Sequence, residues 1–284
     1  MNYILIFSVI AVTLFRSVAK KQYNIKTDNK GAYIFNSVNT FFAALFFLIT
    51  DSNGFEMEFA VVPYIIGFAI TFGLGTLFEF LAIREGSLSL TALIGSYSLM
   101  VPTLYGLLFL NESISLCFIL GIILLLISLF LVNNKKGDNK ISLKWVIYVA
   151  LCFLGTGFCS TIQTAQQRRF NGSYKSEFMI ITLVLLSIFF LVLSLNQEKG
   201  EIKFCLKRAV IPTVFTGIAT GLINLLTMVL VSRGMAASIM FPVISGGTII
   251  ITTLVSIFVY KEKLTLNQYI GLVLGTISVV LMNI

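Results

Sequence analysis

Ten apolar stretches follow one another along this chain with only short polar turns between them. Each is close to the ~20 residues that a helix needs to cross the hydrocarbon core of a bilayer. They run approximately 3–19, 31–49, 59–83, 88–110, 114–132, 143–165, 176–195, 209–231, 236–259 and 265–283. The longest connection, around Asn133–Ser142, reads NNKKGDNKIS and leaves no room for a water-soluble domain. Charged residues make up 11% of the chain, against about 25% in a soluble domain, so most of the surface must face something other than water. In lipid every backbone N–H and C=O has to be paired inside its own segment, which favours helices. The expectation is an all-α polytopic membrane protein.

The residue inventory removes several chemistries. The chain has 0 histidines, so no imidazole base, metal ligand or proton relay is available to it. Cys117, Cys152, Cys159 and Cys205 lie in or beside apolar stretches without CxxC spacing, where a thiol behaves as a small hydrophobe. Neither a metal nor a cofactor is expected, and nothing resembling a P-loop offers ATP drive. Ser17-Val18-Ala19 looks like a signal-cleavage site, yet the charges Arg16, Lys20 and Lys21 follow the apolar run instead of preceding it. The first stretch therefore reads as a retained helix.

Lysine and arginine are distributed asymmetrically. With the N-terminus outside, the inner loops and helix ends hold Arg16, Lys20, Lys21, Lys26, Lys30, Arg84, Lys135, Lys136, Lys140, Lys144, Lys199, Lys203, Lys207, Arg208, Lys261 and Lys263. The outer ones hold Arg168, Arg169, Lys175 and Arg233. Cytoplasmic loops carry the excess, so both termini are expected outside a plasma membrane. The net charge of +8 is then an orientation signal, and no nucleic-acid partner is implied.

A repeat lies within the ten stretches. Glu112–Asn133 laid over Glu262–Asn283 gives eight identities at a constant offset of 150, including Glu112/Glu262, Gly121/Gly271 and Asn133/Asn283. Val62-Pro63 is echoed by Ile211-Pro212, and Tyr23-Asn24 by Phe170-Asn171. The chain divides into 1–134 and 142–284, five helices each. An odd helix number sends the second unit through the membrane in the opposite sense, so ten transmembrane helices are expected as two inverted five-helix repeats. Secondary transporters recurrently use that arrangement, with substrate between the halves near the midplane.

The segments PTLYGLLFLNESISLCFILGIILLLISLFLV and PVISGGTIIITTLVSIFVYKEKLTLNQYIGLVLGTISVVLM each resemble the end of an EamA domain: a proline-bearing helix, a Glu-containing turn, and a helix opening on glycine. Tandem EamA domains make the ten-helix proteins of the drug/metabolite transporter superfamily. The resemblance implies a proton- or exchange-coupled carrier of amino acids, metabolites, nucleotide sugars, quaternary compounds or drugs. It also implies, for many relatives, termini on the inside, where the charge pattern here places them outside. Four-helix members of that superfamily use a Glu in their first helix; the first helix here carries none.

Polar residues are costly within a bilayer and mark partners or wet cavities. Glu79 is the one acid inside a predicted span; it reads either as a proton-coupling or cation-attracting carboxylate or as half of an ion pair with Arg16. Asn36 and Asn39 share a face of the second helix and could hold a zwitterionic or hydroxylated substrate. The sixth helix carries a stripe of Thr156, Ser160, Gln163, Thr164 and Gln167. Asn224 sits near mid-span in the eighth. Ser96 and Tyr97 near Pro102, and Ser245 after Pro242, mark proline- and glycine-weakened helices in both halves, the strongest pointer to a binding site. The nominated substrate residues are Asn36, Asn39, Ser96, Tyr97, Gln163, Asn224 and Ser245, with Glu79 and Arg16 as coupling residues or ion pair. Gly217xxxGly221 and Gly271xxxGly275 read as close helix packing, and Trp145, Tyr64 and Tyr260 as interface anchors. The expected function is secondary active transport of a small polar or amphipathic metabolite, an amino-acid-like zwitterion or an organic cation, by a monomer or homodimer. A flippase for lipid-linked sugars differs only in cargo; a membrane-embedded group transferase would need the clustered acids or histidines that the chain lacks.

Overall fold

The computed structural model describes residues 2–51, 55–85, 95, 98–110, 115–133, 142–258 and 266–281. Among these residues there are ten α-helices, a 3-10 turn at Phe59–Val61 and no strand. The helices are α1 (Asn2–Thr27), α2 (Ala32–Thr50), α3 (Val62–Glu85), α4 (Met100–Phe109), α5 (Leu116–Asn133), α6 (Leu143–Arg169), α7 (Lys175–Gln197), α8 (Ile202–Ser232), α9 (Ala237–Phe258) and α10 (Leu266–Leu281). Six of them, α1, α2, α3, α6, α7 and α8, are long and apolar enough to cross a membrane.

Three helices outrun their apolar stretches, each for a local reason. Helix α1 continues through Thr27 because Tyr23, 2% exposed, anchors its last turns by donating its hydroxyl to Gly31 O at 2.7 Å. Helix α6 carries its polar stripe on to Arg169, where Arg168 Nη2 donates to Met235 O at 2.8 Å in the α8–α9 turn. Helix α8 begins seven residues early with an amphipathic turn whose Cys205 faces inward while Lys203, Lys207 and Arg208 are exposed. A break at Ala209 (φ −134°, ψ 19°), three residues before Pro212, separates that turn from the apolar span, as expected where proline removes an i→i−4 hydrogen bond.

The α1–α2 turn is built on left-handed residues: Asp28 and Asn29 have φ of 52° and 58°, and Gly31 has φ 71°. Asp and Asn tolerate that region better than most residues. At Gly31 space forbids anything larger, since a Cβ would lie 2.6 Å from Cys205 Sγ and 2.7 Å from Tyr23 Oη.

Packing joins the two sequence halves. The most extensive pairings are α3 with α6, α1 with α8, α5 with α10 and α2 with α7, followed by α2 with α8, α1 with α9, α4 with α9, α3 with α7 and α4 with α6. Exchanging every helix for the one five places along the chain returns each of these pairings, whereas α9 with α10, of comparable extent, has no counterpart of similar extent among the described residues. At its centre, Ser37 Oγ on α2 donates to Ser187 O on α7, and Ser187 Oγ donates to Ser37 O, both at 3.0 Å across a separation of 150 residues. That separation equals the offset of the sequence repeat.

Small residues set the closest approaches. A Cβ on Gly155 of α6 would lie 2.5 Å from Gly75 N of α3. Gly217 sits against Phe42 and Asn39 O, Gly221 against Phe46, and Gly275 against Ser128, as the glycine spacings predict. Apolar lipid gives helices no hydrophobic reason to associate, so such dispersion contacts and interhelical hydrogen bonds hold a bundle together. Phe47, Phe68, Phe178, Leu183 and Met228 form one core between α2, α3, α7 and α8; Ile6, Ile10, Leu230, Met240 and Ile244 form another between α1, α8 and α9. Phe7, Phe15, Ile49, Leu108, Phe130, Ile211 and Phe215 are exposed on the outside, a periphery suited to lipid. Trp145 is 7% exposed and packs on Ala82, Val149 and Tyr148, because α3 covers the start of α6.

Candidate functional site

Polar side chains of α2, α6 and α8 meet inside the bundle. Gln163 Nε2 donates to Asn224 Oδ1 at 2.9 Å, Asn224 Nδ2 donates to Thr220 O at 2.8 Å, and Thr220 Oγ1 donates to Asn39 Oδ1 at 3.3 Å. Three of the residues nominated from sequence therefore form one chain, with Thr220 as the link. Gln163, Asn39 and Thr220 are buried and Asn224 is partly exposed. Amides carry both donors and acceptors, so the chain can exchange an internal hydrogen bond for one to a polar guest without stranding a charge. Thr220 was legible in principle, since it lies four residues before Asn224 on the same helical face.

One nominated residue of α2 stands apart from that chain. Asn36 is buried but turns back on its own helix, Nδ2 donating to Ala32 O at 3.0 Å. Ser245 is 5% exposed on α9. Nearby Gly247, read as a weak point in that helix, is covered by Ile10 of α1, whose Cδ1 would lie 2.5 Å from an added Cβ. Ser96 and Tyr97 lie outside the described residues, as does Tyr260.

Glu79 does form an ion pair, but with Lys20 instead of Arg16: Lys20 Nζ lies 2.7 Å from Glu79 Oε1, with side chains 20% and 38% exposed. Lys20 is one turn nearer the end of α1, level with the end of α3 that carries Glu79. This end of the molecule is also where Lys26, Lys30, Lys144, Lys199, Lys203 and Lys207 stand, and we call it the lysine-rich end.

Two further contacts join the ends of α2 and α7. At the lysine-rich end Glu198, just past α7 and 8% exposed, accepts from Tyr33 N at 3.1 Å and Ile34 N at 3.0 Å. It thereby caps the start of α2 with a carboxylate where the helix dipole favours one. At the opposite end Tyr174, just before α7, donates its hydroxyl at 2.9 Å to Glu58 Oε1 in the segment after α2. Sequence gave no sign of either contact, because both carboxylates sit in polar turns. Beside Glu198 a cavity of about 530 Å³ is lined by Asp28, Lys30, Tyr33, Phe80 and Glu201 among others. None of the nominated residues lines it.

The model of a family described as the EamA-like transporter family matches residues 140–284, just over half of the chain. No curated protein matches it. One crystal structure superposes with a TM-score of 0.77 over 100% of this chain and 98% of its own, at 11% identity. At that identity the likeness shows a shared fold alone.

Proposed function

The chain belongs to the EamA-like transporter family, a family of membrane transporters, and from that premise we propose that it is a secondary active transporter working by alternating access. The cargo is a small polar or amphipathic metabolite, an amino-acid-like zwitterion or an organic cation, and coupling is to protons or to a counter-substrate. Residues 1–134 and 142–284 act as inverted repeats that together make ten crossings of the plasma membrane, both termini outside.

The observation that carries this reading is that the most extensive helix pairings map onto one another under a five-helix exchange, with the reciprocal Ser37–Ser187 hydrogen bonds mapping onto each other. Two near-equivalent halves related in this way have two near-equivalent packings, and interconverting them opens a central site to opposite faces. Because α1 packs with α8 and α9 while α3 packs with α6, the bodies that move against each other mix helices of both sequence halves. The Gln163–Asn224–Thr220–Asn39 chain lies where these bodies meet and supports a neutral, hydrogen-bonding site. It fits a zwitterion, whose charges cancel, better than an anion.

Counterflow tests the proposal. Proteoliposomes loaded with a panel of amino acids, small zwitterions and organic cations should accumulate at least one labelled member in exchange. Asn224→Ala should lower the rate at least ~10-fold, equivalent to about 1.4 kcal/mol of lost binding or barrier stabilisation. Absence of exchange across the whole panel by folded protein would count against transport of this cargo class.

A further inference from the structure

We propose that Lys20–Glu79 and Gln163–Asn224 are a matched pair of gate latches, a charged one at the lysine-rich end and a neutral one towards the opposite end. The inference rests on the alternating-access reading above and assigns these four residues to its regulation.

Each contact ties together the two bodies just defined. Lys20 is on α1, which packs with α8 and α9; Glu79 is on α3, which packs with α6. Among the described residues α1 and α3 hardly touch otherwise, so the 2.7 Å ion pair is the main tie between them. Gln163 is on α6, which packs with α3 and α4; Asn224 is on α8, which packs with α1 and α2, and α6 and α8 also touch each other directly. Their 2.9 Å hydrogen bond crosses the same boundary.

The two latches join equivalent helices, and the charged one is displaced by one helical turn from the positions of the neutral one. Advancing α1 and α3 by five helices gives α6 and α8. Within the repeat, Tyr23-Asn24 answers Phe170-Asn171, so Arg16 and Lys20 stand at the positions of Gln163 and Gln167. Glu79 lies sixteen residues after Pro63 and Asn224 twelve after Pro212, one helical turn apart on the same face. The contacts between α2 and α7 obey the same rule, Glu198 reaching the start of α2 at one end and Tyr174 meeting Glu58 at the other. Both latches are closed in this structure. Opening either end parts the helices there and must break that end's latch while the other persists.

The latches differ in one physical respect. A partly exposed ion pair is weakened by salt, which screens exposed charges over about 10 Å at 0.1 M, whereas an amide–amide hydrogen bond between neutral groups is not. Ionic strength therefore biases the cycle towards opening at the lysine-rich end.

Spin-label distances test this without a substrate. In a cysteine-free background, one label pair at Lys26 and Glu85 reports the lysine-rich end, and another at Arg169 and Arg233 reports the opposite end. Glu79→Gln should raise the open population at the lysine-rich end about tenfold, within the usual range of coupling between sites, and abolish its response to salt. Asn224→Leu should open the opposite end and keep the salt response. The double exchange Lys20→Glu with Glu79→Lys should restore the parent distribution. Distances that ignore Glu79→Gln, variants that widen both ends together, or a double exchange that fails to restore would each overturn the latches. Counterflow by the parent protein separates the two ideas: exchange with end distances indifferent to Glu79 removes the latches and keeps the carrier, whereas no exchange removes the carrier itself.

Discussion

At the scale of the residue, the interior of this bundle is governed by what a polar side chain can find nearby. Gln163, Asn224, Thr220 and Asn39 satisfy one another across three helices, and a polar group left alone in an apolar interior costs more than a formed hydrogen bond returns. Asn224→Leu should therefore strand the Gln163 amide and lower stability by about 1–2 kcal/mol, read as a fall in the thermal midpoint in detergent. Thr220→Val should cost less, because its bond to Asn39 is the longest of the set. Outside the membrane, the hydrogen bond that Tyr174 donates to Glu58 raises the tyrosine's titration above its ordinary value, with the neighbouring acids adding to the effect. The neutral hydroxyl is the form that bonds, so this contact is intact below the usual tyrosine pKa of about 10 and is lost as pH rises through the raised value. Phenolate absorbance should show one tyrosine titrating earlier in Glu58→Gln than in the parent, as Tyr174 returns towards its ordinary value.

At the scale of the element, close approach decides more than propensity. Helices α3 and α6 touch backbone to backbone at Gly75 and Gly155. Gly155→Leu must push them apart, at about 1–3 kcal/mol for an overpacked site; a variant that melts with the parent would show that the helices do not cross there. The glycine spacings at Gly217, Gly221 and Gly275 could be read as contact surfaces in advance, since small residues four apart line one helical face. Gly75 and Gly155 could not, because neither has another glycine four residues away on its own helix. Three helices exceed their apolar spans for a separate reason: hydropathy sees the apolar span, whereas Tyr23, Arg168 and Cys205 extend α1, α6 and α8 through contacts with other elements.

At the scale of the whole molecule, the two sequence halves are interlocked, since every one of the most extensive helix pairings crosses from one to the other. Residues 1–134 and 142–284 expressed as separate chains should therefore co-purify as a folded complex, and each alone should be lost to aggregation. Recovery of either half as a stable monomer would contradict the interlocking. Tags at the two ends should be accessible from the same, outer side of intact cells. The sequence by itself determined that the chain is helical and belongs in lipid, because a low charge content and apolar runs of spanning length leave no other way to satisfy the backbone. It also carried the 150-residue repeat, Gln163, Asn224 and Asn39 as polar residues needing partners, and an ion pair for Glu79. Only the tertiary structure decided who those partners are. Lys20 takes Glu79 in place of Arg16, Thr220 links Asn224 to Asn39, Asn36 turns back on its own helix, and Glu198 caps a helix more than 160 residues away. A local pattern records which face a residue occupies, but which helix covers that face depends on how distant segments cross, and no spacing along the chain encodes that.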